Sequence, residues 1–289
     1  METNASWLPE PVHITVDGAS VATYVLGPEE RTPLRDVVFC HGTPWSSQVW
    51  AAAAHHLSRS CRVFLWDMPG YGRSTKDQAV PVDLASQMSR FAQLLAYWRL
   101  DRPHVVAHDI GGAVALGAHL LHDSAYADLF LWDAVTLDPW GSPFFRLVAD
   151  HVDVFTELPA ALHMALVREY VAGAAHRPLT PQWVDALSRP WSGAPGQAAF
   201  YRQMAALRPE HTRPVVARLP EVRCPVTIGW GARDPWIPAG QAARLKDSLP
   251  GNPTVTELAD VGHLAPVEAP SQVTRALEEW LASSGTYAP

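Results

Sequence analysis

Short runs of β-branched and aromatic residues alternate along most of this chain with longer stretches in which apolar residues recur at helical spacing. This alternation predicts βα units that build a mostly parallel sheet with helices on both faces, and it argues against a β-sandwich or a helical bundle. Strands are predicted at residues 13–16, 21–26, 36–40, 62–66, 104–107, 128–132, 225–230 and 254–258, and helices at 83–100, 111–122, 241–248 and 271–283. The sequence therefore predicts an α/β fold with eight strands.

The alternation stops between residues 138 and 214, where no run of residues is typical of a strand. This segment breaks into short helical pieces separated by prolines, namely Pro139, Pro143, Pro159, Pro178, Pro181, Pro190, Pro195 and Pro209. Strand and helix patterns resume after it, which indicates a helical cap (138–214) inserted into a core made of residues 1–137 and 215–289. Open parallel sheets bind ligands beyond the carboxyl ends of their strands, so we expect the functional side chains there, under the cap.

The composition limits the partners that the chain can have. Of the 289 residues, 48% are hydrophobic and 18% are charged, as in an ordinary globular protein, and the formal net charge is -7. Nucleic acids and anionic membranes are held by Lys and Arg, so we expect instead a small, largely apolar and uncharged substrate. Apolar runs long enough to span a membrane and a secretory leader are not found, and the three cysteines are an odd, sparse set. We expect a cytoplasmic protein; a homodimer is compatible with the sequence.

Residues 105–112, Val-Val-Ala-His-Asp-Ile-Gly-Gly, join a buried strand directly to a helix. A turn this tight forces its central residue toward positive φ and requires small residues two positions before and after it. Ala107 and Gly111 meet this requirement around Asp109. The helix N-terminus favours a negative charge at this point, so Asp109 is a candidate nucleophile above the sheet. The alternative is that Asp109 only caps the helix that follows it.

This segment resembles the nucleophile elbow of the α/β-hydrolase family, with aspartate where the usual Gly-x-Ser-x-Gly motif has serine. Ala107 stands in place of the first glycine, and no Gly-x-Ser-x-Gly sequence occurs elsewhere in the chain, which disfavours a serine esterase or lipase. The resemblance implies the α/β-hydrolase fold, with a mostly parallel eight-stranded sheet, helices on both faces and an inserted helical cap. It also implies that Asp109 is the nucleophile.

A second motif, His41-Gly42-Thr43-Pro44, follows a predicted strand. It resembles the loop of this family that donates a backbone N–H to an oxyanion. By that resemblance, the N–H groups of Thr43 and of Ile110, the residue after the nucleophile, form the oxyanion hole. His41 itself is expected to be structural.

Two further motifs complete the family's order of nucleophile, acid and histidine. Residues 229–238 resemble the turn that carries the acid, which is Asp234 here, with a role in a turn or a cap as its alternative. Residues 261–266 resemble the loop that carries the catalytic histidine, His263. Asp133 is a reserve candidate for the acid, because some dehalogenase relatives place theirs after the sixth strand.

An aspartate nucleophile changes the reaction that the resemblance implies. A carboxylate is ionised near neutral pH and can displace a leaving group from saturated carbon, whereas serine needs a base before it attacks a carbonyl. Asp109 would form an alkyl ester, and His263 would activate the water that hydrolyses it. The chain contains no His-Glu-x-x-His sequence and no Cys-x-x-Cys pair, so we expect neither a metal nor a cofactor.

The leaving group separates two enzymatic hypotheses. An epoxide leaves as an alkoxide that needs an acid, and epoxide hydrolases of this fold use cap tyrosines; Tyr170 and Tyr201 are the candidates, with packing as their alternative role. A haloalkane dehalogenase is the rival, although the halide-binding tryptophan usual after the nucleophile is Ile110 here. We predict an epoxide hydrolase. A non-hydrolytic biosynthetic cyclase or a ligand-binding protein of this fold is the alternative from another class.

Overall fold

The predicted strands form one sheet in the computed structural model, which describes residues 7–28 and 35–284. The strands are β1 (Val12–Val16), β2 (Ala19–Leu26), β3 (Arg35–Cys40), β4 (Cys61–Trp66), β5 (His104–His108), β6 (Asp128–Trp132), β7 (Val226–Gly231) and β8 (Thr254–Leu258). Each predicted strand is present, and its ends shift by two residues at most. The prediction of an eight-stranded, mostly parallel sheet is confirmed.

The spatial order of the strands is β1-β2-β4-β3-β5-β6-β7-β8. β1 and β2 form an antiparallel hairpin at one edge, and β2 pairs antiparallel with β4. The remaining pairs, from β4 with β3 to β7 with β8, are parallel. After β3 the chain moves outward to β4 and then returns past β3 to β5, so the strand order reverses between β3 and β5. Ligands bind beyond the carboxyl ends of the strands at such a reversal. The loops after β3 and β5 therefore border the expected site.

Twelve α-helices lie in the described part of the chain. They are α1 (Ala51–Leu57), α2 (Leu84–Tyr97), α3 (Ile110–Leu121), α4 (Pro143–Asp150), α5 (Val152–Thr156), α6 (Ala160–Ala172), α7 (Pro181–Ser188), α8 (Gly193–Ala206), α9 (Arg213–Val216), α10 (Gly240–Ser248), α11 (Ala265–Glu268) and α12 (Pro270–Ser283). Right-handed crossovers place α1 on one face of the sheet and α2, α3 and α10 on the other. The packing of α12 on α1, and of α2 on α3, agrees with this division. None of these helices combines the length and the apolar character that a membrane span requires.

The segment between β6 and β7 contains the helices α4 to α9 and no strand; all of its residues are described. Two of its helices begin at a proline, which favours the first turn of a helix. Pro143 and Pro181 lie in the first turns of α4 and α7, each directly after a residue, Ser142 or Thr180, whose hydroxyl caps the helix. The helical insertion is therefore present where the sequence predicted it, while its limits at residues 138 and 214 stay a prediction.

Candidate active site

A tight turn between β5 and α3 carries Asp109. Its backbone has φ 53° and ψ -127°, the positive φ that a turn of this kind requires. Small neighbours are needed because a Cβ on Gly111 would lie 2.5 Å from the carbonyl oxygen of His41, and a Cβ on Gly42 would lie 2.5 Å from the Cβ of Asp109. The Asp109 side chain makes no capping hydrogen bond to α3. The turn therefore presents the carboxylate to the loop after β3 instead of using it as a cap.

Both N–H groups predicted for the oxyanion hole lie at this carboxylate. The N–H of Thr43 donates to Oδ2 of Asp109 at 2.6 Å, and the N–H of Ile110 is close enough to favour the charged form. Burial nevertheless raises the pKa of Asp109 to about 6, against the opposing effect of His263 and of the two N–H groups. Oδ2 is thus held by the N–H of Thr43, while Oδ1 faces the histidine.

His263 lies between two carboxylates. Its Nδ1 donates to Oδ2 of Asp234 at 2.8 Å, and its Nε2 lies 3.8 Å from Oδ1 of Asp109. Asp234 is itself fixed, since its Oδ1 accepts the N–H groups of Trp236 and Ile237 at 2.7 and 2.8 Å. With Nδ1 bonded to Asp234, Nε2 is the nitrogen that faces Asp109 and can exchange a proton with it or with water. The structure therefore brings Asp109, Asp234 and His263 together.

The same carboxylates set the charge of His263. Burial opposes its charged form, but Asp234 and Asp109 outweigh this effect and raise the pKa of His263 to about 9. Nε2 is buried and has no hydrogen-bond partner among the residues described. At neutral pH the site thus holds an imidazolium between two carboxylates.

Asp133, the reserve acid, lies beside Asp234 but is held differently. Its Oδ1 accepts the N–H of Gly231 at 2.7 Å, and its Oδ2 is buried with no partner in the described part of the chain. Burial, and then the charge of Asp234, raises the pKa of Asp133 well above its ordinary value. Asp234 is the carboxylate that hydrogen-bonds Nδ1 of His263 and therefore orients the ring.

The ligand atoms of Asp133, Asp234 and His263 lie within 4.8 Å of one another, so these are the described residues that could hold a metal ion. The hydrogen bond between Asp234 and Nδ1 of His263 already occupies that nitrogen, and backbone N–H groups occupy one oxygen of each carboxylate. Such an arrangement suits proton transfer at Nε2 better than coordination of a metal.

We expect Asp234→Asn to lower kcat by about 10³- to 10⁴-fold, because an amide that donates to Nδ1 favours the wrong tautomer of His263. Asp133 bonds the N–H of Gly231 and makes no hydrogen bond to His263, so the same substitution there is expected to change kcat by less than about threefold. Steady-state kinetics of the two variants compare the roles directly. A larger loss in the Asp133 variant would make Asp133 the acid.

The hydroxyl of Tyr201 is used inside the cap. It lies 2.9 Å from Nδ1 of His163, whose Nε2 lies 2.9 Å from the carbonyl oxygen of Trp191. Burial lowers the pKa of His163, so its ring is neutral and its single proton must be on Nε2 to meet that carbonyl. Nδ1 then accepts the proton of Tyr201. The hydroxyl of Tyr201 therefore links α8 to α6, and its proton is used in that hydrogen bond.

Tyr170 is placed differently. Its ring stacks on Trp236 with 4.7 Å between centroids, and the Trp236 ring lies 5.1 Å from that of His263. Burial, and then the charge of Asp109, raises the pKa of Tyr170 well above its ordinary value, as expected for a phenol near the nucleophile. Its hydroxyl makes no hydrogen bond to any described residue. Of the two predicted cap tyrosines, Tyr170 is the one whose hydroxyl is unbonded in the described part of the chain.

Three polar side chains beside the site were not predicted from the sequence. The hydroxyls of Tyr71 and Thr43 donate to Oε1 of Gln203 at 2.7 and 2.8 Å. The indole N–H of Trp45 is buried without a partner among the described residues. The position of Tyr71 in a glycine-rich turn directly after β4 was a usable signal, whereas nothing in the sequence indicates which residue of α8 meets the core.

The fold is that of an α/β hydrolase, and Asp109 lies at the tight turn after β5. The sequence profile of the family described as "Alpha/beta hydrolase family" matches residues 37–276, and the chain belongs to this family. The predicted fold class is confirmed. A crystal structure of an alpha/beta hydrolase fold protein from Burkholderia ambifaria is 39% identical in sequence, with a TM-score of 0.90, and the match covers 96% of this chain and 100% of that chain.

Two more distant matches are proteins named for different activities. The chain is 25% identical over 292 residues to the dihydrolipoyllysine-residue acetyltransferase component of an acetoin cleaving system from Pseudomonas putida, a match that covers 94% of this chain and 70% of that protein. An epoxide hydrolase structure has a TM-score of 0.81 at 17% identity, over 94% of this chain and 98% of that chain. At 17% identity, the likeness to the epoxide hydrolase shows the fold alone.

Proposed function

We propose that this protein is a cofactor-free epoxide hydrolase that forms an alkyl ester on Asp109. The position of one carboxylate carries the proposal: Oδ2 accepts the N–H of Thr43 at 2.6 Å, while Oδ1 faces Nε2 of His263 at 3.8 Å. One oxygen is thus available for attack, and the other lies where negative charge develops when the ester is hydrolysed. Because the nucleophile is ionised without help from a base, saturated carbon is its natural target.

In the first step, Oδ1 of Asp109 bonds to an epoxide carbon and the C–O bond of the ring breaks. The departing oxygen takes the hydroxyl proton of Tyr170. The charge of Asp109, which contributes to the raised pKa of Tyr170, disappears as the ester forms. The phenol therefore becomes a stronger acid at the moment when its proton is needed.

Ester formation also makes His263 a base. The charge of Asp109 is one of those that raise the pKa of His263, so its loss lowers that pKa; the imidazolium releases its proton and the phenolate of Tyr170 recovers one. Nε2 then takes a proton from water as the water oxygen bonds to Cγ of Asp109. The resulting oxyanion on Oδ2 is stabilised by the N–H of Thr43. Collapse expels the diol oxygen, which takes the proton from His263, and the new acid of Asp109 then ionises by returning a proton to Nε2.

Aromatic side chains support a small and largely apolar substrate. The ring of Tyr170, beside the nucleophile, is surrounded by other rings, namely those of Phe144, Phe145, Phe200 and Trp236. Walls of this kind bind uncharged ligands through buried apolar area, and a few polar groups then fix their orientation.

A haloalkane dehalogenase is the second candidate, and one observation favours it. The indole N–H of Trp45 is buried without a partner in the described chain, and its ring stacks on Trp236 at 5.6 Å, close to the catalytic histidine. A departing halide needs only such donors. Ile110 after the nucleophile offers no side-chain donor, however, and a dehalogenase would have no use for the unbonded hydroxyl of Tyr170.

Incubation of the purified protein with panels of epoxides, haloalkanes and p-nitrophenyl esters tests the proposal. We expect diols from epoxides, with no halide from the haloalkanes. Halide release without diol would identify a dehalogenase, and rapid p-nitrophenol release alone would identify an esterase. A protein that releases none of the three products is not a hydrolase of the proposed kind.

Tyr170→Phe should lower kcat on epoxides by about 10²-fold, since the variant has no acid for the opening ring. Tyr201→Phe is the matched control: its hydroxyl bonds His163, so we expect a change of less than about threefold in kcat and a loss in thermal stability instead. Initial rates of diol formation and thermal unfolding measure the two effects. A larger loss of kcat in Tyr201→Phe than in Tyr170→Phe would show that Tyr201 is the acid.

The pH dependence of kcat/KM should report the ionisation of Asp109. Its pKa is raised to about 6 by burial, and only the ionised form attacks, so kcat/KM is expected to fall about tenfold per unit as pH decreases below about 6. Asp133→Asn is not expected to shift the pH at which kcat/KM begins to fall. An inflection near the ordinary value of 3.8 would contradict the buried environment assigned to the nucleophile.

A further inference from the structure

A cluster of three polar side chains joins the cap to two loops of the core. Thr43 lies in the loop after β3, Tyr71 in the loop after β4, and Gln203 on the cap helix α8. Both hydroxyls donate to Oε1 of Gln203, at 2.8 Å from Thr43 and 2.7 Å from Tyr71. The carbonyl end of this amide is therefore satisfied, and its orientation is fixed from two directions.

The other end of the same amide has no partner. Gln203 is fully buried, and its Nε2 is shielded from solvent with no hydrogen-bond acceptor among the described residues. A buried amide that cannot donate its two protons is costly, so native proteins rarely leave one. When such a donor lies at an active site, an acceptor on the substrate is the natural partner.

The position of the amide relative to the nucleophile limits where that acceptor lies on the substrate. Thr43, whose hydroxyl bonds the amide, is also the residue whose N–H holds Oδ2 of Asp109. Tyr71 is near enough to Asp109 that the carboxylate adds to the effect of burial on its pKa, which is raised. The amide of Gln203, whose N–H₂ group is unpaired, is therefore separated from the Asp109 carboxylate by one hydrogen-bonded residue, Thr43.

We propose that Nε2 of Gln203 donates a hydrogen bond to an uncharged acceptor oxygen that the substrate carries a few bonds from its epoxide ring. The preferred substrates are then oxygen-bearing epoxides such as glycidyl ethers, with an apolar tail, and simple alkyl epoxides are poorer. This inference rests on the proposed epoxide hydrolysis and adds Gln203 as the residue that determines specificity within it.

A pair of isosteric substrates tests this role. Benzyl glycidyl ether and 1,2-epoxy-5-phenylpentane differ only by an oxygen in place of a methylene. We expect the ratio of their kcat/KM values, ether over alkyl, to fall about three- to tenfold in Gln203→Met relative to the unmodified protein, as one neutral hydrogen bond predicts. Comparing ratios removes the difference in intrinsic reactivity between the two epoxides.

Gln197→Met is the matched control. Gln197 is a buried glutamine on the same helix, and its Nε2 already donates to the carbonyl oxygens of Thr156 and Leu158 at 2.9 and 2.8 Å. Its substitution should leave the substrate ratio unchanged. An unchanged ratio in Gln203→Met, or an equal fall in both variants, overturns the role of Gln203.

Binding gives a second readout that needs no folded Gln203 variant. The Asp109→Asn protein should bind the ether about three- to tenfold more tightly than the alkyl epoxide, and equal affinities overturn the inference. Diol formed from both substrates with no dependence on Gln203 would refute this specificity while epoxide hydrolysis stands. If the unmodified protein forms no diol from either substrate, the proposed function fails, and this inference fails with it.

Discussion

His263→Gln is expected to stop the reaction after its first half and to leave the substrate bonded to the protein. Loss of the histidine charge raises the pKa of Asp109 further, so the experiment is run at about pH 9, where we expect the carboxylate to be ionised and alkylation to proceed. Glutamine cannot remove a proton from the water that hydrolyses the ester. Turnover should fall by about 10³- to 10⁴-fold. Mass spectrometry should find one substrate mass added per chain, on the peptide that contains Asp109.

His119→Gln is the control for this experiment. His119 is also buried, but its ring bonds the carbonyl oxygen of Ser124 and the N–H of Arg223, away from the nucleophile. This variant should turn over and accumulate no adduct. Ligand binding to His263→Gln with no mass increase would favour the alternatives from another class, a non-hydrolytic cyclase or a ligand-binding protein, because neither forms a bond to Asp109.

The meeting of the three side chains proposed to be catalytic could be predicted because each follows a strand at close range. Asp109, Asp234 and His263 lie in the short loops after β5, β7 and β8, which are parallel and therefore end at the same edge of the sheet. Local turn chemistry identifies each loop, and the common strand direction then brings the loops together. No knowledge of helix packing is needed for this step.

The cap side chains could not be predicted in the same way. Tyr201 and Gln203 both lie on α8, yet the first bonds His163 within the cap and the second bonds Thr43 of the core. Residues two positions apart on a helix point in directions about 200° apart, so rotation of α8 would exchange their surroundings. The apolar pattern of a short, proline-interrupted segment does not fix that rotation. The sequence therefore offered Tyr201 and Tyr170 equally as the acid. The structure shows that the hydroxyl of Tyr201 is hydrogen-bonded to His163, whereas that of Tyr170 is unbonded in the described chain.

Asp109→Asn should abolish both alkylation and turnover, with kcat/KM lower by about 10⁴-fold or more, since an amide has no charged oxygen to attack carbon. The overall fold should persist, because an amide oxygen can still accept the N–H of Thr43 in place of Oδ2. Rates of diol formation and mass spectra of the intact protein measure the loss. Residual turnover of the purified variant near the unmodified rate would place the nucleophile elsewhere.

The same substitution should stabilise the protein, and the gain should depend on pH with a definite sign. Burial raises the pKa of Asp109 from 3.8 to about 6, so the folded state holds a proton in a range where the unfolded chain has lost it. This carboxylate therefore costs stability as pH rises from about 4 to about 6, by at most about 3 kcal/mol above that window, and asparagine avoids the cost. Denaturant unfolding of both proteins at pH 4 and pH 8 should show near-equal stability at the lower pH and a more stable Asp109→Asn at the higher. A variant that is less stable at pH 8 would mean that attraction to His263 outweighs the burial of the charge.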